Sequence, residues 1–368
     1  MKTRAAVLYA HQTPLKVEEV DLAEPKESEV LVRFKSAGLC HSDLSVIKGV
    51  LQPSLPIIPG HEGAGVVEKI GQGVGRVQPG DHVVLLWVPV CGECYFCRRG
   101  ETVLCVLKDK IRGGRMMDDT YRMTNSNGQG IGKMGGVGSF SEYNVVNQEN
   151  LLVIDKDIPF DVAAVAGCAL ITGVGAVLNK AKVRQGSSVA VIGIGGVGLN
   201  IIQGAALADA RRIIAVDILE HKLDLAKQFG ATDVINAAAQ DPVSKVMELT
   251  DQIGVDYAFE ALGDVATAKT AFSLIRRGGH MIMVGIPAKD QQFCISLADL
   301  PLMDKSISGS YYGSGDMRSD IIRFLELYKS GRLKLDELIT DRYSLEQINE
   351  GMHDLEIGKN ARGVIIYG

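Results

Sequence analysis

Net charge, long apolar runs and internal repeats are all scarce in this sequence. Its 368 residues carry a formal net charge of −5, so composition favours neither nucleic acid nor an anionic membrane as a partner. The first residues, MKTRAAVLYA, include basic side chains but not the apolar stretch of a secretory signal. No segment repeats at the intervals of about 20–50 residues that mark solenoids and propellers. We therefore expect a cytoplasmic globular protein that binds neither nucleic acid nor membrane.

One apolar segment, residues 187–208, is long enough to suggest a membrane helix. Five glycines and the amide of Gln203 interrupt it. These interruptions favour a buried strand followed by a buried helix. The chain length allows about two domains, because single cores stop growing near roughly 250–300 residues.

The first half of the sequence has the features of a β-rich domain. Residues 30–35 (VLVRFK) alternate apolar and polar side chains as a half-buried strand does, and glycines recur between valines over residues 60–80. This spacing indicates tight turns in a small twisted barrel. Residues 106–140 are polar and glycine-rich, with little periodicity, and are predicted to form a long surface excursion.

Beyond about residue 170, apolar strand-like segments alternate with helical stretches. This alternation is typical of βαβ units, and six such strands make a doubly wound parallel sheet of the Rossmann type. The predicted strands are residues 188–192, 213–216, 233–235, 257–259, 281–284 and 306–310. The predicted fold class is therefore α/β, with a dinucleotide-binding domain at residues 170–312 and a β-rich domain at residues 1–169 and 313–368.

A glycine-rich motif follows the first of these strands. The motif G-x-G-x-x-G includes Gly193, Gly195, Gly196, Val197 and Gly198. Its glycines let the backbone turn sharply and approach a pyrophosphate, and the helix that follows supplies free N–H groups. Asp217, nineteen residues beyond the motif, can accept hydrogen bonds from the ribose of NAD and would repel the extra phosphate of NADP. Lys222 is in reach of the same ribose, although an ordinary surface lysine fits the sequence nearly as well.

Seven cysteines are present, and four of them lie within fifteen residues. These four are Cys91, Cys94, Cys97 and Cys105. Their C-x2-C-x2-C-x7-C spacing suits one closed tetrahedral zinc site with a structural role. A disulfide knot is disfavoured because cytosolic chains rarely keep such bonds, and a nucleic-acid zinc ribbon is disfavoured because the surrounding residues form no basic stripe.

Three further candidate ligands, Cys40, His61 and Cys168, are far apart in the sequence. Taken singly, each cysteine would more often be a small buried hydrophobe than a ligand. Their local motifs are Cys40-His41-Ser42-Asp43, Gly60-His61-Glu62-x-x-Gly65, and Gly167-Cys168 followed by Thr172-Gly173. The segment with Cys91, Cys94, Cys97 and Cys105 (the cysteine lobe) and the G-x-G-x-x-G motif (the glycine loop) accompany them. All these motifs occur in the order found in the zinc-dependent medium-chain alcohol dehydrogenases, which the chain resembles from about Arg4 to Gly363.

The resemblance implies a GroES-like catalytic domain around a Rossmann NAD-binding domain. It implies that Cys40, His61 and Cys168 bind a catalytic zinc with one open position, so that each chain holds two zinc ions. Two thiolates cancel the formal charge of the metal, which can still polarise an alcohol oxygen and release a neutral product. The alcohol then passes a hydride to NAD.

The resemblance also implies roles for residues around this zinc. Ser42 takes the alcohol proton and lines the substrate pocket, Asp43 braces His61, and Glu62 lies beside the metal. Trp87, the only tryptophan, matches a pocket-lining aromatic that narrows the slot and favours primary alcohols. A tryptophan buried in the core without substrate contact is the alternative.

Three further residues are expected to contact the coenzyme on the resemblance: His41, Thr172 and Arg362. His41 stands where many relatives carry arginine, so its phosphate contact would be weaker and would depend on pH. Arg362 corresponds to an arginine that contacts either the pyrophosphate or the Glu62 carboxylate, and an ordinary ion pair is the alternative.

The predicted activity is hydride transfer between an alcohol, with primary alcohols favoured, and NAD, giving an aldehyde or ketone and NADH. Within the family, the alternative is a glutathione-dependent formaldehyde dehydrogenase that oxidises S-hydroxymethylglutathione. A non-catalytic protein that kept the fold is disfavoured by the intact ligand and glycine motifs. We expect a homodimer, with a tetramer as the alternative, formed through apolar segments at residues 281–286 and 306–311.

Overall fold

The computed structural model describes residues 1–111 and 113–368, which fold into two compact units. The first unit contains Met1–Cys168, Ile321–Leu325 and Leu335–Gly368, and the second contains Ala169–Asp320 and Glu326–Lys334. The domain boundaries expected from the sequence, at residues 169 and 313, stay a prediction.

The strands and helices are numbered in chain order within the described residues. The strands are β1 Lys2–Val7, β2 Lys16–Leu22, β3 Glu29–Gly38, β4 Ile57–Ile58, β5 Ala64–Ile70, β6 His82–Leu85, β7 Met123–Thr124, β8 Gly130–Lys133, β9 Tyr143–Asn147, β10 Leu151–Val153, β11 Ser188–Ile192, β12 Arg212–Asp217, β13 Asp233–Asn236, β14 Val255–Glu260, β15 Ile275–Met283, β16 Ser306–Gly309, β17 Asp341–Tyr343 and β18 Gly363–Ile366. The α-helices are α1 His41–Ile47, α2 Leu107–Lys110, α3 Phe160–Val165, α4 Ile171–Gly175, α5 Gly196–Leu207, α6 Glu220–Gln228, α7 Pro242–Leu249, α8 Val265–Leu274, α9 Asp299–Met303, α10 Met317–Lys329 and α11 Ile348–Glu356.

The first unit contains two mainly antiparallel sheets, which confirms the prediction of a β-rich domain. One sheet has the order β1-β2-β7-β8-β4, and the other has the order β10-β6-β5-β3-β18-β17, with β9 also paired to β3. Strand β3 is the most extensively paired, because it hydrogen-bonds to β5, β9 and β18 along its length. The strand predicted at residues 30–35 is therefore present, and Val30, Val32 and Phe34 are fully buried.

The segment predicted as a surface excursion contributes to the core of the first unit. Strands β7 and β8 extend the sheet that β1 and β2 begin, and Met123 and Ile131 are buried. The excursion prediction is therefore wrong for residues 123–133, because short strands with few apolar residues give no periodic signal. Residue 112, within the same prediction, lies outside the described residues.

The second unit is built on the predicted doubly wound sheet. Its six strands run in the order β13-β12-β11-β14-β15-β16, and every neighbouring pair is parallel. All six predicted strands are present. Strand β15 begins at Ile275, six residues before the predicted start, because Gly278 and Gly279 interrupt its apolar pattern.

One continuous helical segment, Phe160–Ala181, is long and apolar enough by length and composition to cross a membrane. Within its most apolar window, 83% of the residues are buried inside the protein. Burial of this extent is the pattern of a core helix, since a membrane helix presents its apolar side chains to lipid. The segment singled out from the sequence, residues 187–208, instead forms β11 and α5, as predicted.

A buried lysine at the end of β8 lies among charged side chains of the first unit. Lys133 donates from Nζ to the carbonyl oxygen of Val145. Nearby, the Arg122 guanidinium donates two hydrogen bonds, of 2.7 and 2.5 Å, to the Glu29 carboxylate. Burial lowers the pKa of Lys133 to about 7; Arg122 adds to this effect and Glu29 opposes it. The ordinary value is 10.5.

This depressed pKa predicts a pH-dependent stability that Lys133→Met should remove. Between pH 7 and 10.5 the unfolded chain binds more protons than the folded chain, so stability rises with pH across this window and levels off below pH 7. From pH 7 to 9, the wild type should gain about 2 kcal/mol relative to the variant in urea unfolding. Lys110→Met, at an exposed position, is the matched control. Parallel pH profiles for wild type and Lys133→Met would refute the prediction.

Candidate metal centres and coenzyme loop

The buried carboxylate of Asp43 joins two segments of the first unit. Asp43 lies in the first turn of α1 and is fully buried. It accepts hydrogen bonds from the backbone N–H groups of Cys40 (3.1 Å) and Gly60 (3.0 Å) and from Nδ1 of His61 (3.0 Å). Because a carboxylate only accepts, Nδ1 carries the proton and Nε2 is left with a lone pair. This arrangement fixes the imidazole in the tautomer that binds metals.

Four candidate ligands from distant parts of the chain converge beside this carboxylate. One ligand atom each from Cys40, His61, Glu62 and Cys168 lies within 4.8 Å of the others, and all four residues are buried. Nε2 of His61 has no hydrogen-bond partner among the described residues. An orphaned, buried imidazole nitrogen beside two thiols fits zinc, which takes sulfur and nitrogen ligands. The predicted trio is therefore brought together in one cluster.

Cys168 reaches the cluster from an unusual helical turn. It lies in the π-helical turn Ala166–Leu170 that follows α3. Such turns recur at functional sites because one extra residue re-aims a side chain without ending the helix. Gly167 packs closely in this turn: a methyl group there would lie 2.9 Å from the carbonyl oxygen of Leu85.

Glu62 and Arg362 form a buried ion pair at the edge of the cluster. Arg362 Nη1 lies 3.2 Å from Glu62 Oε1 and donates a 2.7 Å hydrogen bond to the Leu39 carbonyl. Burial raises the pKa of Glu62 to about 8, although Arg362 opposes the shift. A hydrogen bond between the two thiols lowers the pKa of Cys40 and raises that of Cys168. Of the two family contacts expected for Arg362, the structure has the one to Glu62.

The remaining predicted residues of this region lie close to the cluster in sequence or in space. His41 is exposed and Ser42 is half-buried, both in the first turn of α1 beside Cys40. Trp87 is half-buried, and its ring meets the His61 ring edge-on with centroids 6.1 Å apart. Gly135 packs against Trp87, since a methyl group there would lie 2.8 Å from the tryptophan Cβ. The indole is therefore held beside a predicted ligand.

The four-cysteine lobe forms a second, separate cluster. Ligand atoms of Cys91, Cys94, Cys97 and Cys105 lie within 4.8 Å of one another. All four cysteines are free, and the sulfurs of Cys91 and Cys105 are 3.6 Å apart, far beyond disulfide bonding. Although desolvation raises the pKa of Cys94, backbone N–H groups of Cys97 and Val106 help to lower it to about 6. Four convergent sulfurs saturate a tetrahedral metal, which suits a structural site.

The glycine loop of the second unit has the geometry of a pyrophosphate cradle. It follows β11, and Gly193 adopts a φ of 91°, which favours glycine. A methyl group at Gly198 would lie 2.0 Å from the Gly193 carbonyl oxygen, so glycine lets α5 pack tightly on the strand. Asp217 ends β12 and accepts hydrogen bonds from Ile194 (2.7 Å) and Ile218 (2.7 Å). These bonds hold its carboxylate beside the loop.

Lys222 and Thr172 complete the predicted set in the second unit. Lys222 is 8% exposed, and burial lowers its pKa while Asp217 opposes the shift. An ordinary surface lysine would not be buried in this way. The structure therefore disfavours the alternative that Lys222 is an exposed surface residue. Thr172 lies half-buried in α4.

The sequence interpretation missed three apolar side chains beside the glycine loop. Ile218, Leu262 and Ile286 follow β12, β14 and β15 and are 62%, 55% and 55% exposed. Ligands of open parallel sheets bind at the carboxyl ends of the strands, which is where these residues lie. The signal was present in the sequence: each apolar residue follows a predicted strand by at most three positions.

Comparison with known proteins agrees with this geometry. Models described as an alcohol dehydrogenase GroES-like domain and a zinc-binding dehydrogenase match residues 26–156 and 196–330. An NDMA-dependent alcohol dehydrogenase from Amycolatopsis methanolica is 42% identical, covering 100% of this chain and 99% of the relative. An S-(hydroxymethyl)glutathione dehydrogenase from Escherichia coli is 39% identical over 100% of both chains. The crystal structure of benzyl alcohol dehydrogenase from Acinetobacter calcoaceticus matches with a TM-score of 0.91 and 33% identity over 100% of both chains.

The chain belongs to the zinc-dependent medium-chain alcohol dehydrogenase family. The predicted fold class, a GroES-like β-rich domain with a Rossmann domain, is confirmed by these matches and by the three sheets described above. Membership makes the protein an alcohol dehydrogenase that binds zinc, and its two cysteine-containing clusters fit that metal.

Replacing Asp43 with Asn should loosen the first cluster of this alcohol dehydrogenase. The amide keeps one acceptor oxygen but turns NH2 donors toward backbone N–H groups that need acceptors. We expect stability to fall by about 2–3 kcal/mol and metal affinity at the cluster to fall roughly 10–100-fold.

The measurement is zinc content after dialysis against a chelator. Asp43→Asn should keep the lobe zinc and lose the other, while Asp119→Asn, which alters an exposed carboxylate paired with Arg115, should match the wild type. Full retention of both zinc ions by Asp43→Asn would show that the carboxylate does not support the ligands.

Proposed function

We propose that this alcohol dehydrogenase uses one catalytic and one structural zinc to transfer a hydride from a primary alcohol to NAD. The observation that carries the proposal is the convergence of Cys40, His61 and Cys168 in one buried cluster, in which Nε2 of His61 has no hydrogen-bond partner among the described residues. Three protein ligands leave zinc an open position for substrate. When bound there, zinc supplies a Lewis acid that makes the alcohol hydroxyl more acidic.

The protein residues around this position have distinct tasks. Asp43 orients His61, and Arg362 holds the Glu62 carboxylate beside the ligands. The Ser42 hydroxyl accepts the alcohol proton and passes it on toward solvent or His41. Bound NAD would supply the hydride acceptor, so that one alcohol and one NAD would become one carbonyl compound, one NADH and one proton.

The proposal of NAD as the hydride acceptor rests on residues of the second unit. The glycine loop and the start of α5 suit a pyrophosphate, and the exposed side chains of Ile218 and Leu262 offer apolar surface for a base. The Asp217 carboxylate favours a ribose diol over a phosphorylated ribose. Further coenzyme contacts are proposed for Thr172, His41 and Arg362 from the family, and for Lys222 from its place one helical turn beyond Asp217.

For the substrate, we favour primary alcohols because Trp87 lies beside His61 and narrows the approach to it. The similarity to a benzyl alcohol dehydrogenase is consistent with a primary aromatic alcohol. The alternative is S-hydroxymethylglutathione, supported by the relative that is 39% identical.

We further propose a cytoplasmic homodimer in which β16 pairs with a second copy. This strand is at the open edge of the six-stranded sheet. Before it in the chain, Leu297 and Leu302 are 78% and 82% exposed, and such apolar exposure suits an interface. The first unit would serve as the catalytic domain and the second as the NAD-binding domain.

The function is tested by metal analysis combined with an acceptor screen. The purified protein should contain two zinc ions per chain and should form NADH with primary alcohols, without added glutathione. The same alcohols are tested with NADP and with NDMA, because the relative that is 42% identical is an NDMA-dependent alcohol dehydrogenase. Activity that requires glutathione favours the alternative substrate, and activity with NDMA but not with added NAD contradicts NAD as a free hydride acceptor.

Asp217→Asn should relax coenzyme choice. The amide keeps the size and one acceptor but removes the charge that repels the 2′-phosphate, so the ratio of kcat/KM for NADP to that for NAD should rise roughly tenfold or more. Asp224→Asn, on the same helix as Lys222 but exposed, is the control and should leave the ratio unchanged. An unaltered ratio in Asp217→Asn would remove this carboxylate from coenzyme selection.

A further inference from the structure

Gly38, the last residue of β3, lies against the carboxylate of Glu62. A methyl group built on Gly38 would lie 1.9 Å from Glu62 Oε2 and 2.9 Å from its Cδ. Ordinary contact begins at 3.4 Å, so any side chain at residue 38 would require the carboxylate to move by about 1.5 Å. The carboxylate therefore occupies space that exists because residue 38 has no side chain.

Backbone conformation does not explain the glycine at this position. Gly38 is absent from the residues with positive φ, and it pairs with Val364 as an ordinary strand residue. Alanine would fit the local backbone, and replacing a glycine under those conditions does not disturb folding by itself. What requires glycine here is the position of the Glu62 side chain.

The backbone around this contact has little room to yield. Ala37 and Leu39 on either side of Gly38 are fully buried. The carbonyl oxygen of Glu62 accepts hydrogen bonds from Gly38 N–H (3.3 Å) and from Ser139 Oγ (2.7 Å). The flexible part of the contact is the Glu62 carboxylate, so a methyl group at residue 38 would displace that group.

The carboxylate now has two possible positively charged partners. One is Arg362, with Nη1 3.2 Å from Oε1. The other is the metal proposed among Cys40, His61 and Cys168, whose ligand atoms lie within 4.8 Å of a Glu62 oxygen. Moving the carboxylate away from Gly38 weakens its present ion pair with Arg362. The metal is then the competing positively charged partner.

We propose that Gly38 is a positioning residue that keeps Glu62 off the catalytic zinc and so preserves the open position. The inference rests on the proposed metal role of Cys40, His61 and Cys168. Gly38→Ala should turn Glu62 into a fourth protein ligand. A four-ligand protein site is closed, as in structural zinc centres, and cannot take an exogenous ligand.

The test replaces the catalytic zinc of the holoenzyme with cobalt(II), whose visible spectrum reports its ligands, and titrates with imidazole. The wild type should bind imidazole with a spectral change. Gly38→Ala should need roughly tenfold more imidazole or more, and should release its metal to a chelator roughly tenfold more slowly, within the range seen when metal surroundings are altered. Gly75→Ala, at an open position of the first unit with nothing within 4 Å, should behave as wild type.

A second variant keeps the test decisive if Gly38→Ala folds poorly. Glu62→Asp shortens the side chain that meets residue 38, so Gly38→Ala/Glu62→Asp should fold and should respond to imidazole as Glu62→Asp alone does. A Gly38→Ala protein with the wild-type imidazole response overturns the inference, as does a double variant that fails to fold. If the wild type itself takes up no cobalt at this cluster, the proposed function fails instead.

Discussion

The cluster of candidate ligands in the first unit depends on a buried anion, Asp43, whose two oxygens both accept hydrogen bonds. Its carboxylate collects two backbone N–H groups and the His61 ring, and each donor belongs to a segment that carries a predicted ligand or precedes one. A buried charge without partners costs several kcal/mol, so these three donors and the carboxylate fix each other. The relative placement of Cys40 and His61 thus follows from the requirement to satisfy one charge, whereas Cys168 is placed by its π-helical turn.

A second charge balance operates on the other side of the same cluster. Glu62 and Arg362 are almost completely buried, so each needs the other, and Arg362 also donates to the carbonyl oxygen of Leu39, the residue before Cys40. The last strand, β18, pairs with the end of β3 and brings Arg362 to this place. The pairing of the C-terminal strand therefore positions Arg362, the residue before it, at the edge of the cluster, although neither provides a predicted zinc ligand.

The sequence predicts best those features that local spacing determines. The cysteine lobe lies within fifteen residues, and the glycine loop directly follows an apolar strand, so both are visible without knowledge of the fold. Apolar runs predict the six parallel strands, whereas β7 and β8, with two and four residues, are too short to give a periodic pattern. The burial of Lys222 was equally hidden, since it depends on how α6 packs against its sheet.

The contact between Gly38 and Glu62 shows what local pattern leaves out. The two residues are 24 positions apart in the sequence, and they meet because β3 pairs with β5 in a register that includes Ser36 opposite Ala64. In the sequence, Gly38 next to Ala37 has the features of a weak strand end. Only the position of the Glu62 carboxylate explains why this residue has no side chain. Gly38 thus reserves space for a side chain from another strand, which its own backbone conformation does not require. Gly75 has the same freedom of backbone and nothing beside it, so the difference between the two glycines lies in what occupies the missing side chain's place.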